Sequence, residues 1–213
     1  MAEQFTGDHG IAVVVAHEIH GVNEHIAGVA RALRRYPCDV HTPDFRPEAI
    51  RPGPTGHTGQ TGQTAVTERR AYQDFMRHLG VEGMARALAG YAEGLRSRYR
   101  AVYCVGYSVG ATAAWLAAEP GVLDRTVCFY GSRIRDHIDL PPRSGCLVVV
   151  AEQEASFSGG TLAEKLVHRG DAAVELYPCA HGFCDPGNPH YSPQHSAAAW
   201  ESAVGFLGFR GGS

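Results

Sequence analysis

Six apolar, β-branched runs separated by segments with helical spacing constrain the fold of this chain more than any other feature. The runs are continuously apolar rather than alternating, which is typical of strands buried on both faces of a parallel sheet. Strand alternating with helix predicts an α/β fold with a doubly wound, mainly parallel sheet of about six strands flanked by helices. The predicted strands cover residues 11–16, 38–43, 101–106, 126–131, 146–151 and 173–178. The predicted helices cover residues 23–36, 71–79, 83–98, 111–118, 162–169 and 196–206.

The length of the chain and one unusual segment bear on its domain organisation. A chain of 213 residues is the size of one α/β domain, and no repeat or linker divides it. We therefore expect residues 1–213 to form a single domain. Segment 52–64, PGPTGHTGQTGQT, has no period of either kind. We interpret it as a flexible surface connection in preference to an active-site lid, which is the alternative.

Charge and hydropathy exclude several classes of function. The net charge is −3, with no basic surplus for nucleic acid. No apolar run approaches the ~20 residues that cross a bilayer, and MAEQFTGDHG lacks the features of a signal peptide. We expect a cytoplasmic monomer or small homo-oligomer that binds neither membrane nor nucleic acid.

The six cysteines indicate a reduced protein without a metal centre. No CxxC pair occurs, and three of the cysteines lie inside apolar runs, where a thiol behaves as a small hydrophobic group. Cys179, His181 and Cys184 lie close together, but their spacing is not a common one for metal and a fourth ligand is not evident. We predict no metal and no cofactor.

The strongest chemical signal is Gly106-Tyr107-Ser108-Val109-Gly110. It follows a predicted strand and precedes a helix-compatible run, which is the context of a nucleophile elbow. The sharp turn lifts the serine hydroxyl above the sheet, and the small flanking residues let strand and helix approach each other. Ser108 is therefore the predicted nucleophile.

A serine nucleophile needs a base and an acid, which follow it in the order acid and then histidine. His181 lies in the turn after the last predicted strand, so it is the predicted base. Two carboxylates, Glu152 and Glu154, follow the strand before it. The sequence A-E-Q-E is similar to a common hydrolase strand end, G-E-Q-D, which favours Glu154 over Glu152.

The first predicted strand ends in a polar cluster, His17-Glu18-Ile19-His20-Gly21. In this arrangement the oxyanion hole combines the amide after the nucleophile with one from the loop after an early strand, which nominates Val109 and Ile19. The zinc motif H-E-x-x-H fails here, because position 21 is glycine.

Four stretches together resemble the dienelactone hydrolase family of α/β-hydrolases: VVVAHEIHGVNEHI, GYSVGA, EQE and AHGF. The similarity covers most of the chain, from about residue 11 to 207, and it implies the α/β-hydrolase fold. The resemblance also implies that Glu18 contacts the resting nucleophile and that Tyr72 lies near the active site. The initial antiparallel strands of the family are expected to be missing or reduced.

The departures from the family bear on the substrate. The usual nucleophile is cysteine and the usual acid aspartate, where this chain has Ser108 and Glu154. The resemblance places Glu68 and Asp185 at the positions of two arginines that hold the carboxylate of the family's dienelactone. At both positions a negatively charged residue therefore replaces a positively charged one. The pocket is expected to favour neutral or cationic esters over dienelactone. The expected pocket residues are Glu68, Arg69, Arg70, Tyr107 and Asp185.

The leading hypothesis is a serine hydrolase that cleaves an ester or lactone of a small, neutral substrate through an acyl-enzyme. A second hypothesis keeps the site but replaces hydrolysis with acyl-transfer, lyase or cyclisation chemistry in a biosynthetic pathway, because a fold alone cannot separate these reactions. A third hypothesis is a non-catalytic binding protein that retains the hydrolase fold. The intact Ser, acid and His set argues against this third hypothesis.

Overall fold

A six-stranded parallel sheet forms the centre of the protein in a computed structural model, which describes residues 10–51 and 65–209. The spatial order is β2-β1-β3-β4-β5-β6, and every neighbouring pair is parallel. The predicted α/β fold with six strands is confirmed, with each strand end within two residues of its prediction. The strands are β1 (Ile11–Ala16), β2 (Asp39–His41), β3 (Ala101–Tyr107), β4 (Arg125–Phe129), β5 (Gly145–Gln153) and β6 (Ala173–Ala180).

Helices cover both faces of the sheet, so the central strands are buried on both sides. The helices are α1 (Glu24–Leu33), α2 (Ala65–His78), α3 (Gly80–Leu95), α4 (Val109–Ala118), α5 (Gly159–Arg169) and α6 (Pro193–Phe206). Alternate β1 residues belong to different cores: Val13 and Val15 belong to the core on the face covered by α1 and α6, whereas Val14 belongs to the core on the face covered by α3, α4 and α5. This two-sided burial explains why the strand runs are continuously apolar.

Helix boundaries differ most from the predictions at α2, which begins at Ala65 rather than at residue 71. Its first turn contains β-branched residues of low helix propensity, which hid the start. α6 begins at Pro193, three residues before its predicted start; proline is favoured at a first helical position because it lacks the N–H that would be unsatisfied there. Segment 52–64 lies outside the described residues, as does most of the region before Ile11 to which the expected loss of initial strands refers.

The strand order places the ends of β1 and β3 at the point where the chain changes direction across the sheet. The chain passes from β1 outward to β2 and then returns to β3, and the crevice at such a switch point is where open α/β sheets bind ligands. Ala16 and Gly106 are register partners at these two ends. Of the helices in the described residues, none is long and apolar enough to cross a membrane.

Candidate active site

Ser108 lies in a strained turn between β3 and α4. Its backbone has φ 54° and ψ −117°, in the left-handed half of conformational space that non-glycine residues rarely adopt. Its amide donates to the Phe129 carbonyl at 3.0 Å, which fixes the turn against β4. A Cβ at Gly110 would lie 2.3 Å from the Ala16 carbonyl oxygen, so only glycine allows α4 to approach β1 this closely. The local geometry is that of a nucleophile elbow.

Two hydrogen bonds connect Ser108, His181 and Glu154. The Ser108 Oγ lies 2.9 Å from His181 Nε2, and His181 Nδ1 lies 2.9 Å from Glu154 Oε1. The His181 side chain is 35% exposed and that of Glu154 only 7%. The imidazole beside Ser108 is therefore open to solvent, whereas the carboxylate behind it is buried. Glu154 directly follows β5, whereas Glu152 lies within β5 and is exposed. The structure thus brings Glu154, and not Glu152, against the imidazole.

The acidic surroundings of His181 set its proton affinity. Burial lowers its pKa, but the hydrogen bond and charge of Glu154, together with Glu18 and Glu68, outweigh burial and hold the pKa above the usual histidine value. An imidazole with this affinity accepts a serine proton readily once it is itself unprotonated.

Glu18 lies in a tight turn after β1, closed by the Gly21 amide donating to the Glu18 carbonyl at 3.0 Å. Burial is the main cause that raises the pKa of its carboxyl to about 7; the charge of His181 opposes it, and Asp185 and Glu68 add to it. Glu18 therefore exchanges its proton in the neutral range while it lies close enough to His181 to influence it.

The backbone amides of the two predicted oxyanion donors lie outside the hydrogen bonds of the helices and strands. Val109 is the first residue of α4, so its N–H belongs to the helix-terminal groups without a helical acceptor. Ile19 is the second residue of the turn that the Gly21 amide closes, so that hydrogen bond does not involve the Ile19 amide. Both amides belong to the segments that meet at the switch point.

Sequence analysis missed a clamp of buried and half-buried polar groups behind the Glu18 turn. The Arg46 guanidinium makes two hydrogen bonds to Asp44, at 3.0 and 2.8 Å. The same guanidinium fills the space where a Cβ at Gly21 would lie, only 2.1 Å from Arg46 Cζ. His17 Nε2 accepts from the Phe45 amide at 2.9 Å, which ties the start of the turn to the same segment. Spacing alone gives no signal for contacts between residues so distant in sequence.

Tyr130 is a second residue that sequence analysis missed. It directly follows β4, and its φ of 41° is unusual for a bulky side chain. The ring is buried, lies 5.0 Å from the His181 ring, and has its hydroxyl close enough to Glu18 to lower the pKa of that carboxyl. The Tyr130 amide donates to the Val149 carbonyl at 2.8 Å, which holds the strained backbone. Strain at such a position is a feature of functional sites.

The predicted residues of α2 lie at the periphery of the site. The Tyr72 hydroxyl accepts from Arg133 Nη1 at 3.2 Å, which connects α2 to the short 3₁₀ helix after Tyr130. Glu68 and Arg69 are exposed, and Glu68 is close enough to raise the pKa values of Glu18 and His181. Arg70 is exposed, 4.0 Å from Asp74, and it lines a separate cavity that also includes Ile19.

The last two predicted pocket residues are buried. Tyr107 stacks on Phe129 with ring centroids 4.6 Å apart, and Asp185 accepts a hydrogen bond from the Gly187 amide at 2.8 Å. Both line a cavity of about 540 Å³ between α1 and α6. Asp185 also contributes to the raised pKa of Glu18, so its carboxyl lies near the Glu18 turn as well as in the lining of this cavity.

Glu18→Gln is expected to move the acidic limb of the pH profile of kcat/KM to lower pH. The negative charge of Glu18 raises the pKa of His181, and His181 must be unprotonated to accept the serine proton. Removing that charge lowers the pKa, so activity persists further into acid. The matched control is Glu152→Gln, since Glu152 is exposed and directed elsewhere. A limb that stays in place or moves to higher pH in Glu18→Gln would contradict this electrostatic coupling.

Comparison with known sequences gives one family. A model described as the dienelactone hydrolase family matches residues 4–209. The uncharacterized protein YczH of Bacillus subtilis (strain 168) is 29% identical over 182 residues, which are 84% of this chain and 84% of that protein.

Comparison with solved structures gives the same architecture. A Klebsiella pneumoniae protein described as a candidate dienelactone hydrolase superposes with a TM-score of 0.70 at 18% identity, covering 94% of this chain and 87% of its own. A Xanthomonas campestris α/β serine hydrolase described as having no lid superposes with a TM-score of 0.61 at 16% identity, covering 96% and 84% of the two chains. At these identities the likeness establishes the α/β-hydrolase fold.

Proposed function

Because the chain belongs to the dienelactone hydrolase family and is thereby a hydrolase acting on esters, we propose that it is a serine hydrolase that cleaves a small ester or lactone through an acyl-enzyme. The observation that carries the proposal is the pair of 2.9 Å contacts from Ser108 through His181 to Glu154. A serine hydroxyl needs such a base to become a nucleophile, and the base needs an acid to orient it.

In the first half of the proposed reaction, Ser108 Oγ attacks the substrate carbonyl while its proton passes to His181 Nε2. Glu154 holds the His181 tautomer and stabilises the imidazolium that forms. The amides of Ile19 and Val109 donate to the carbonyl oxygen as it becomes negative. His181 then gives its proton to the departing alcohol oxygen, and the acyl group remains on Ser108.

In the second half, water replaces the alcohol. His181 accepts a proton from the water as it attacks the acyl carbonyl, and returns the proton to Ser108 Oγ when the acid is released. A lactone follows the same steps, except that its alcohol stays attached to the acyl group.

We propose that Glu18 acts through His181 rather than as a base for serine. A serine hydroxyl is not ionised at rest, so Glu18 has no resting anion to pair with, unlike a carboxylate beside a thiol. Its carboxyl instead sets the charge near His181, and its raised pKa of about 7 allows this charge to change in the neutral range. We also propose a cytoplasmic location, because the six cysteines are buried and unpaired.

The proposed substrate lacks a negative charge. Glu18, Glu68 and Asp185 surround the reacting groups closely enough for Glu68 and Asp185 to raise the pKa of Glu18. An anionic ester would meet repulsion at this end of the sheet, whereas a neutral one would not. This charge pattern supports a neutral substrate over dienelactone, the anionic substrate of the family's namesake.

The test is a panel of p-nitrophenyl acetate, a neutral lactone and dienelactone. The neutral substrates are expected to have higher kcat/KM than dienelactone. Glu68→Gln removes a repulsive charge and is expected to raise kcat/KM for dienelactone. The gain should be only about two- to fivefold, because Glu68 is exposed and its charge is well screened. It should appear in KM, because Glu68 acts on the substrate carboxylate and not on the reacting carbonyl. The gain should shrink with added salt.

The matched control for this panel is Arg69→Gln, which removes a neighbouring positive charge and should not raise dienelactone turnover. Efficient hydrolysis of dienelactone by the unaltered protein would refute the charge argument. Hydrolysis of none of the three substrates would count against the proposed esterase activity itself.

A further inference from the structure

The cavity between α1 and α6 is separate from the groups proposed to carry out the reaction. Its volume of about 540 Å³ is in the range of small-molecule sites. Among the described residues, its lining includes Tyr107, which directly precedes Ser108, but not Ser108, His181 or Glu18. A molecule in this cavity would therefore contact the elbow strand without contacting the nucleophile.

Aromatic rings from several elements form much of the wall. Tyr107 of β3 and Phe129 of β4 are stacked with 5° between the ring planes, and His25 of α1 meets the Tyr107 ring edge-on at 83°. Trp200 of α6 and Tyr191 of the preceding loop also line the cavity. An aromatic guest can make face and edge contacts with such rings that a saturated group of the same size cannot make.

The charged groups of the lining are already engaged within the protein. Glu24 and Arg31 form an exposed ion pair with each other at the rim. Asp185 accepts from the Gly187 amide at 2.8 Å and takes part in a further interaction, so we assign its carboxylate to the structure of its own loop. Burial lowers the pKa of His25, which keeps the ring uncharged near neutrality. A charged ligand would lose its hydration here without gaining a dedicated counter-charge from the described lining.

We propose that this cavity binds a small, uncharged aromatic molecule or group. The volume suits a small molecule, the wall suits an aromatic ring, and the engaged charges of the lining suit a neutral one. The ring is either one end of a substrate whose ester group lies at Ser108 or a separate molecule. The site itself does not depend on the proposed hydrolase activity, because binding is measurable without turnover.

The chain contains its own reporter for this site. It has two tryptophans: Trp200 lines the cavity, whereas Trp115 is fully buried in the core on the opposite face of the sheet. The emission of Trp200 should therefore change on binding. Trp200→Phe should abolish the change while keeping an aromatic ring in the wall, so calorimetry should still detect binding in that variant.

Four probes separate aromatic character from charge: 4-tert-butylbenzyl alcohol, the saturated (4-tert-butylcyclohexyl)methanol, 4-tert-butylbenzylamine and 4-tert-butylbenzoate. They are similar in size; the two alcohols are neutral, the amine is positive and the carboxylate is negative at pH 7. The aromatic alcohol is expected to bind at least about threefold more tightly than the saturated alcohol. It should also bind at least about tenfold more tightly than either charged probe.

A cavity-filling variant locates the binding. Gly28 lies in the middle of α1 and lines the cavity, and of the described atoms a Cβ there would meet only Arg31 Nη2 within 4 Å, at 3.7 Å. Gly28→Leu is therefore expected to fold and to occupy part of the cavity. Binding of the aromatic alcohol should weaken by at least about tenfold, because the leucine and the ligand compete for the same space.

The matched control is Gly90→Leu, the same substitution inside a helix on the other face of the sheet. Gly90 lies in α3 and is exposed, and a Cβ there would meet no described atom within 4 Å. This variant should bind the aromatic alcohol within about twofold of the unaltered protein. Circular dichroism and the thermal midpoint verify that both variants are folded.

Equal binding of the four probes, preference for a charged probe, or no binding would overturn the proposal. So would unchanged binding in Gly28→Leu, or an equal loss in Gly90→Leu. Occupation of the cavity by a second copy of the chain, seen as dimerisation with a concentration-dependent Trp200 emission, would also overturn it.

Two further measurements separate this site from the proposed hydrolysis and identify the source of the ring. Binding of the aromatic alcohol should persist in Ser108→Ala, since the cavity lining does not include Ser108; loss of binding there would contradict a site separate from the nucleophile. Competitive inhibition of p-nitrophenyl acetate hydrolysis by the aromatic alcohol identifies part of a substrate. Binding without competition identifies a separate ligand.

Discussion

Ser108→Ala is expected to lower kcat for p-nitrophenyl acetate by about 10⁴- to 10⁶-fold, the largest effect of any single substitution proposed for this chain. The proposed acyl-enzyme cannot form without the Ser108 hydroxyl, and only positioning and oxyanion stabilisation remain. The folded state should be little affected, because the Ser108 amide and not its side chain makes the contact with Phe129. Stopped-flow kinetics and thermal unfolding measure the two quantities.

The matched variant is Ser108→Cys, which keeps a nucleophile at the same position. It should retain more ester hydrolysis than Ser108→Ala and become sensitive to iodoacetamide, because the thiol lies beside the His181 base. Activity in Ser108→Ala close to that of the unaltered protein would mean that another group attacks the carbonyl.

Glu154→Gln is expected to lower kcat by about 10²- to 10⁴-fold with little change in KM. The substituted side-chain amide would present a donor or a neutral oxygen to His181 Nδ1, so the imidazole tautomer is no longer fixed and the imidazolium loses its counter-charge. Because Glu154 is 2.9 Å from Nδ1 and its side chain is 7% exposed, solvent cannot easily replace it. Steady-state kinetics over a range of pH measure the loss.

Glu152→Gln serves as the comparison, since it is the same chemical change two residues away. Glu152 is exposed within β5, so the kcat of this variant should stay within about threefold of the unaltered value. The reverse ranking of the two variants would assign the acid to Glu152 and contradict the geometry at the end of β5.

The fold could be predicted from sequence because its signals are local. Continuous apolar runs such as those of β1 and β3 report burial on both faces, and the order of strands and helices restricts the topology. The elbow could also be predicted from the sequence, because residue 110 has to be glycine for α4 to approach β1. A histidine and a carboxylate at two later strand ends then follow from the chain order of the hydrolase fold.

The rest of the site depends on contacts between distant parts of the chain. Tyr130 follows an ordinary apolar strand, and only the fold shows its positive φ and its proximity to His181. The Asp44–Arg46 clamp reaches Gly21 from the segment after β2, so no spacing rule reveals it. Helix α2 begins six residues earlier than predicted, because the β-branched residues of its first turn have a low helix propensity and gave no signal of the start.

The charge pattern is where sequence and structure have to be combined. The resemblance to the family implies that Glu68 and Asp185 stand in place of two cations, but it does not indicate how far their charges act. The structure separates them: Glu68 is exposed near the start of α2, whereas Asp185 is buried in the lining of the cavity between α1 and α6. Glu68 is therefore expected to affect charged substrates weakly and in a salt-dependent way, and Asp185 more strongly.

The most direct test of the central claim, that Ser108 is an activated nucleophile, is covalent labelling with a fluorophosphonate followed by peptide mass spectrometry. The probe reacts with a hydroxyl that a nearby base activates, so a single adduct on the peptide containing Ser108 is expected, with loss of activity in proportion to labelling. Iodoacetamide should leave activity largely intact, because none of the six cysteines lies at the elbow. Absence of a Ser108 adduct, together with inactivation by iodoacetamide, would contradict the account.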